Sequence, residues 1–325
     1  GRIKANTVRG YVDGFERGAD FIGSVRLDCL TPSHIYNMVE GMQSDGYAES
    51  SVVHTLSIVK QLLQSAVDNQ MIPMNPCKGI AIEKSEKVTV DPILEDESKI
   101  LQPEEIKTFL DAEKNTRYYE LFYIILNTGM RIGEITALCW SDIDFEKGTL
   151  AVNRQVQWQS GSKEHGNGYW YFSEPKYNSF RTISLDNALI DLLKREKQRQ
   201  DRAAEYYADK YIHLFEGDNS RELNTDGKGV EIYPICRREN GEYIQSRVMQ
   251  HTSMIIHTQL GCEDFDFHSL RHTHATNLAE AGANPKYVQA RLGHKNIQVT
   301  MQVYQHTSDT IIEQGNNVLR NMYLK

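Results

Sequence analysis

The prolines of "MIPMNPC", residues 71–77, divide the chain into two differently patterned blocks. Proline lacks an N–H and clashes with the preceding turn, so no helix runs on through Pro73 and Pro76. Ahead of them the apolar residues keep helical spacing. Thr31-Pro32 offers a hydroxyl cap and a proline at the first helical position, Ile35, Met38, Val39 and Met42 follow on one face, and Asp45-Gly46 closes the element. A longer pattern from about Ser50 to Asn69 sets Val52, Leu56, Val59, Leu63, Ala66 and Val67 on one side. Residues 1–80 are therefore expected to form a small all-helical unit. The stretch 81–100, with "EKSEKVTVDPILEDESK", is polar, charged and proline-interrupted, the composition of a linker.

The block from 101 to 325 mixes both periods. "QPEEIKTFLDAEK" and "YYELFYIILNTG" read as helices, the second ended by Gly129, and "RIGEITALCW" restarts a helix with Ile132, Ile135 and Leu138 on one face. The β-type runs "TLAVNRQVQW", "GYWYFSE" and "RTISL" follow, separated by the turn-rich "QSGSKEHGNG" and "PKYNS". Helices are expected at about 186–208 and 246–260, then in "FHSLRHTHATNLAEAG", "NPKYVQARLG" and "IQVTMQVYQH", with a weakly amphipathic tail helix over 307–325. The fold class is thus mainly α with a small antiparallel β-sheet.

A length of 325 residues suits two domains. No apolar run is long enough to span a bilayer, and no apolar segment follows the polar N-terminus, which leaves no membrane or secretion signal. Gly1 stands where a Met would, so upstream sequence is expected to be missing. The cysteines (Cys29, Cys77, Cys139, Cys236, Cys262) are odd in number and scattered, which argues for reduced thiols in a cytoplasm. The net charge of −8 is awkward for a phosphate-binding surface, but residues 91–113 carry eight acids against Lys99 and Lys107, a net −6 of that total. An acidic chain of this kind can still present a basic face.

The segment "HSLRHTHATNL" (268–278) places His268, Arg271 and His272 on one helix face. His268 and His272 have the i, i+4 spacing of zinc ligands, but Ser269 stands where the accompanying glutamate would be, and only Asp266 or His274 offers a third ligand. No metal is expected. Neither a G-x-S-x-G nor a glycine-rich phosphate loop occurs, which removes serine hydrolase and nucleotide-binding readings. Anion binding fits better. Arg271 is a planar charged fork, Arg131 begins a helix after Thr128-Gly129, Glu134 can hold a basic neighbour in register, and "RLGHKN" presents His294 after a glycine turn. Taken singly, each is an ordinary surface or structural residue.

Their order is more telling. "NTGMRIGEITALCWSDID", "PKYNSFRTISL", "DFHSLRHTHATNLAEAG" and "VQARLGHKNIQVTMQVYQH" resemble, in sequence order, the motifs of the tyrosine recombinase (phage integrase) family. "LLQSAVDNQMIPMNPCKGI" resembles the end of that family's core-binding domain, and the wording is nearest to integrases of conjugative transposons and Gram-positive phages. The resemblance implies a helical, SAM-like core-binding DNA domain at 1–80, a linker at 81–100, and a catalytic domain at 101–325 ending in a C-terminal docking helix.

By motif, the resemblance implies that Arg131 is the first catalytic arginine and Glu134 its acidic support. Lys176 matches the lysine on the β-hairpin turn, with Arg181 the competing basic residue there. His268 and Arg271 match H-x-x-R, His294 the second histidine and Tyr304 the nucleophile, its hydroxyl expected to face the phosphate. His272 and His274 are expected to be structural or to back the residues that touch the phosphate, Tyr287 to lie on a packing face and Tyr323 in a mobile tail. A tyrosine hydroxyl ordinarily titrates near 10. It would therefore need positioned positive charge on the phosphate oxygens, supplied here by arginines and histidines without metal or cofactor.

The implied reaction is site-specific recombination through a 3′-phosphotyrosine, for integration and excision of a mobile element in a bacterial cytoplasm, associated with the nucleoid. The implied partners are double-stranded DNA, a homotetramer on two duplexes with exchanged C-terminal helices, and an accessory excision protein. Relaxation of supercoils by a type IB topoisomerase, or a catalytically silent DNA-binding regulator, are the alternatives.

Overall fold

A computed structural model describes residues 5–80, 101–114, 119–159, 161, 167–218, 221–249, 252, 256, 258, 265–305 and 320. The chain divides into two compact units, Gly1–Thr89 and Val90–Lys325.

The N-terminal unit has three helices, α1 (Ala5–Ile22), α2 (Pro32–Ser44) and α3 (Glu49–Asp68). Thr31 opens α2, with His34 Nδ1 2.8 Å from its hydroxyl, and Gly46 leaves the helix at φ +79°. Ile35, Met38, Val39 and Met42 pack against Val52, Leu56, Val59, Leu63 and Ala66, the faces the spacing indicates. Between the prolines, Asn75 donates to the Lys60 carbonyl at 3.0 Å and accepts from the Cys77 amide at 2.9 Å, which folds the loop back onto α3. The helix α1 was not anticipated. Its glycines lower helix propensity, yet two of them permit close packing: a Cβ on Gly14 would meet Ile58 Cδ1 at 2.2 Å and one on Gly18 would meet Val59 Cγ2 at 2.8 Å. The exposed side of α1 carries Val8, Tyr11, Val12 and Phe15.

The C-terminal unit begins with α4 (Pro103–Glu113), α5 (Tyr119–Thr128) and the short α6 (Ile132–Thr136). Strands β1 (Ile143–Asp144), β2 (Thr149–Val152) and β5 (Arg181–Ser184) form an antiparallel sheet in the order β1-β2-β5, with Leu150 opposite Ile183 and Val152 opposite Arg181. Between them, β3 (Gln155–Gln159) and β4 (Tyr169–Ser173) pair as a hairpin. After α7 (Asn187–Tyr207) comes a second antiparallel sheet, β6 (Leu214–Glu216) between β7 (Leu223–Asn224) and β8 (Val230–Ile232). The last described helices are α8 (Phe267–Glu280), α9 (Pro285–Leu292) and α10 (Ile297–Gln305). The main core joins Phe109, Phe122, Phe265 and Phe267 to Ile125, Leu150, Ile183 and Leu193.

Sequence reading and structure part in several places. "RIGEITALCW" does not stay helical beyond Thr136. The Leu138 carbonyl accepts from the Ile235 amide at 2.8 Å and the Trp140 amide donates to the Tyr233 carbonyl at 3.0 Å, so a neighbouring extended segment takes the hydrogen bonds the helix would need. "TLAVNRQVQW" is two strands in different sheets, broken at Asn153-Arg154, and the β6–β8 sheet was not foreseen. The helix expected over 246–260 is described only in part. The linker at 81–100 and, but for Arg320, the tail at 307–325 lie outside the described residues. Among the described residues no helix is long and apolar enough to cross a membrane.

Candidate phosphate-binding and cleavage site

The helix α8 is the pivot. Asp266 caps it by accepting from the Ser269 amide at 2.7 Å, and Phe267, Leu270, Arg271, Thr273, His274, Ala275 and Thr276 are all buried. A helix buried on nearly every side shows no amphipathic stripe. Arg271, only 2% exposed, donates through Nη1 to the Gly129 carbonyl and through Nη2 to the Leu292 carbonyl at 2.8 Å.

Those carbonyls end two other helices. The last turn of a helix leaves its C=O groups without partners inside the helix. At the end of α5, His274 Nδ1 lies 2.8 Å from the Leu126 carbonyl, Arg291 Nη2 donates to the Asn127 carbonyl at 2.9 Å, and Arg271 takes Gly129. At the end of α9, Arg181 Nε donates to the Arg291 carbonyl at 2.7 Å, Arg271 takes Leu292, and Arg131 Nη2 reaches the Gly293 carbonyl at 3.5 Å. Arg271 and Arg291 thereby join the two helix ends, and Arg131 at the start of α6 and Arg181 on β5 hold the second.

Glu134 sits beneath this network with its side chain wholly buried. One oxygen accepts from Arg131 Nη1 at 3.0 Å and Arg181 Nη1 at 3.1 Å; the other accepts from the Arg131 amide at 2.9 Å and Arg181 Nη2 at 2.7 Å. Burial alone would push this carboxyl up. The hydrogen bonds and charge of Arg181, then the charges of Arg131 and Arg271, outweigh it and hold the group below its ordinary value. His274 moves the other way. Burial first, and the Arg291 charge second, push its ring down to about 4. The neutral ring can then accept from Arg291 Nε, 3.1 Å from its Nε2.

The structure therefore brings together Arg131, Glu134, Arg271 and the turn that carries His294. Gly293 adopts φ +68°, ending α9 in the left-handed conformation that turns the chain into His294. His294 Nδ1 lies 2.9 Å from the Thr300 hydroxyl. His268, in the first turn of α8, packs its ring edge-on against His272, centroids 5.0 Å apart. Asp266 and His274, the possible third ligands to that histidine pair, are engaged as a helix cap and an arginine acceptor. Among the described residues no group of three or more ligating side chains could hold a metal ion.

Lys176 is exposed on the turn after β4, its ammonium 5.1 Å from the centre of the Tyr177 ring, which Lys295 approaches from 5.9 Å. Tyr177 and Asn178 both have positive φ, a conformation few residues other than glycine adopt. A concavity of about 380 Å³ lies between the turn and α9, lined by Tyr177, Phe180, Lys286, His294 and Lys295.

Two tyrosines depart from expectation. The Tyr304 hydroxyl does not stand clear of the protein: it donates to the Ala283 carbonyl in the turn between α8 and α9, and the ring packs with Ala279, Val288 and Leu292. Burial raises its pKa. Tyr287 is 49% exposed instead of packed, its hydroxyl accepting from Arg291 Nη1 at 3.2 Å. Sequence reading missed Arg291. An arginine in the last turn of a helix reads as an ordinary C-terminal charge, and its carbonyl partners carry no side-chain signature.

Residues 99–310 match the phage integrase family. A tyrosine recombinase XerC-like protein of Caldanaerobacter subterraneus subsp. tengcongensis is 29% identical over 91% of this chain and 72% of its own length. The transposase of transposon Tn916 from Enterococcus faecalis is 26% identical over 89% of this chain and 66% of its own length. Among solved structures, the Tn1549 transposon integrase in complex with a circular intermediate DNA superimposes with a TM-score of 0.72 at 20% identity, covering 97% of this chain and 95% of that one. A lambda integrase tetramer bound to a Holliday junction gives 0.61 at 18% identity, over 93% and 72%. These likenesses establish the catalytic fold, and the sequence match establishes the family. The chain belongs to the phage integrase family, the tyrosine-type site-specific DNA recombinases.

Proposed function

We propose that this chain cuts and rejoins double-stranded DNA through Tyr304, in the integration and excision of a mobile element. The observation that carries the reading is the junction of Arg131, Arg271 and the Gly293–His294 turn around ionised Glu134. It sets two arginine forks beside the turn that leads into His294. The Tn916 and Tn1549 relatives support the mobile element.

In this reading Arg131, Arg271, His268 and His294 hold the scissile phosphate and stabilise the charge that builds on its non-bridging oxygens. The Tyr304 oxygen attacks phosphorus, its proton passing to solvent, as the bond to the 5′ oxygen breaks, and Lys176 gives a proton to the departing oxygen. The product is a 3′-phosphotyrosine and a free 5′-hydroxyl. Attack by a 5′-hydroxyl from another strand reverses the step and frees the tyrosine, so no external energy source is needed. Lys176 suits the donor role better than Arg181, since Lys176 is exposed and an arginine does not deprotonate. Before attack the Tyr304 hydroxyl must leave the Ala283 carbonyl, because a hydroxyl held on the main chain does not present its oxygen to phosphorus.

The wider assembly follows the same reading: residues 1–80 as a core-binding DNA domain, 81–100 as linker, and 101–325 as catalytic domain with a docking tail exchanged between four subunits on two duplexes. The protein would act in a bacterial cytoplasm at the nucleoid, with an accessory protein for excision.

The deciding test uses a pool of nicked duplexes with randomised sequence around the nick. The parent should form an adduct that survives denaturing gels, in excess EDTA as well as without it, and the peptide that carries the nucleotide should contain "MQVYQH". Tyr304→Phe should form none. An adduct on another residue, or one made by the Phe variant, would refute the assignment.

A further inference from the structure

Arg181 was a rival for the proton-donor role, and its surroundings describe a different one. Its side chain is 6% exposed. Four of its N–H groups have named acceptors: Nη1 to Glu134 Oε1 at 3.1 Å and the Ser179 carbonyl at 3.2 Å, Nη2 to Glu134 Oε2 at 2.7 Å, and Nε to the Arg291 carbonyl at 2.7 Å. An arginine carries five such donors, so nearly the whole group is committed to the protein. It therefore touches three separate pieces of the site. It holds the carboxylate that accepts from Arg131, the end of α9 that leads into His294, and, through the Ser179 carbonyl, the segment between the Lys176 turn and β5.

Gly293 adds an independent constraint. A Cβ there would come within 2.9 Å of Ser179 Cβ and 3.1 Å of Arg181 Nη1, so the turn before His294 lies directly on the guanidinium. Glu134, for its part, must stay ionised to accept from two arginines while buried. Of its neighbours Arg181 opposes the burial effect most strongly.

We propose that Arg181 is a positioning residue for DNA cleavage: its bidentate clamp on Glu134 and its bond to the Arg291 carbonyl set the placement of Arg131 and His294 relative to each other. The inference rests on the reading of those two residues as phosphate contacts.

The test measures single-turnover adduct formation on a duplex that the parent has selected from the randomised nicked pool. Arg181→Gln should bind that duplex within about threefold of the parent and cleave about 10- to 100-fold more slowly, the scale of a misplacement near 1 Å. Its deficit should widen as the pH falls from about 7.5 to about 5.5, because Glu134 has lost its main partner and takes up a proton more readily. Arg181→Lys keeps the charge but not the fork; its deficit should be similar near neutrality and flat with pH. Combining Arg181→Gln with Arg131→Lys should slow cleavage no more than about threefold beyond Arg131→Lys alone, since both act through one group.

A Gln variant that cleaves like the parent, a deficit in it that stays flat with pH, or fully multiplicative effects in the double variant would each overturn the proposal. If Arg181→Gln no longer binds the duplex, Arg181→Lys decides: slow cleavage with normal binding supports the clamp, and parental cleavage overturns it. A parent that forms no adduct on any duplex fails the functional reading itself, a result distinct from all of these.

Discussion

In the N-terminal unit, α2 and α3 meet through Met38, Met42, Val52, Val59 and Leu63, all buried apolar side chains at helical spacing. Around Glu134, three helix ends and a strand meet through arginines on carboxylate and backbone oxygens. Apolar contacts tolerate small slides, because their energy follows area and has little direction. Charged hydrogen bonds do not, because they weaken steeply with angle and leave a buried polar group unpaired when they break. In the proposed reading two arginine forks share one phosphate, which calls for the second kind of joint.

The contrast is sharpest for single large residues. Arg271→Ala removes the donor to both Gly129 and Leu292 and should cost about 2–5 kcal/mol together with adduct formation by orders of magnitude. Met38→Ala should cost a similar 2–5 kcal/mol through its cavity, yet leave the cleavage rate per folded molecule within a few-fold. Urea unfolding alongside single-turnover cleavage separates the two, and an Arg271→Ala protein that cleaves normally when folded would end the comparison.

Acid should loosen the polar joint in a defined window. The unfolded chain binds a proton at the His274 ring near 6.5 and the folded chain only near 4. The stability contributed by the neutral ring is thus complete above the first value, falls as the pH drops between the two, and is gone below the second. On the order of 3 kcal/mol is at stake across the window. His274→Gln, unfolded in urea at pH values inside and above it, should lose less stability on acidification than the parent; equal losses would assign the acid sensitivity elsewhere.

Two glycines give the smallest effect. Gly46 and Gly129 both have positive φ, +79° and +65°. A Cβ on Gly46 meets nothing within 4 Å, while one on Gly129 would lie 2.5 Å from Leu292 Cδ2 and 2.7 Å from His274 Cδ2. Gly46→Ala should cost about 1 kcal/mol through backbone strain alone, and Gly129→Ala more than that with slowed cleavage. Thermal melts and cleavage assays on the pair check both, and equal costs would mean that the Gly129 turn can slide.

The same division sets what was legible in the sequence. The apolar stripes of α2 and α3, the cap at Thr31 and the glycine stops at Gly46, Gly129 and Gly293 could be read because each leaves a side-chain or glycine signature. Helix α1 could not, since Gly14 and Gly18 serve packing where local propensity argues against a helix. Nor could the stop at Thr136, imposed by the Tyr233–Ile235 segment from far along the chain. The site residues Arg131, Glu134, Arg271 and His294 stood out by order and wording. What joins them stayed hidden, because carbonyl oxygens are present at every position and carry no letter. The partner of the Tyr304 hydroxyl stayed hidden for the same reason, being the Ala283 main chain.

That anonymity has an evolutionary consequence. Arg291 and Arg271 grip Asn127 and Leu292 by the main chain, so the side chains at those positions can drift without loosening the grip, provided that helix and core still accept them. The arginines themselves have no such latitude. Selection on this site should thus register as invariant cations facing variable partners, a pattern in which covarying residue pairs would be scarce even where the coupling is strongest.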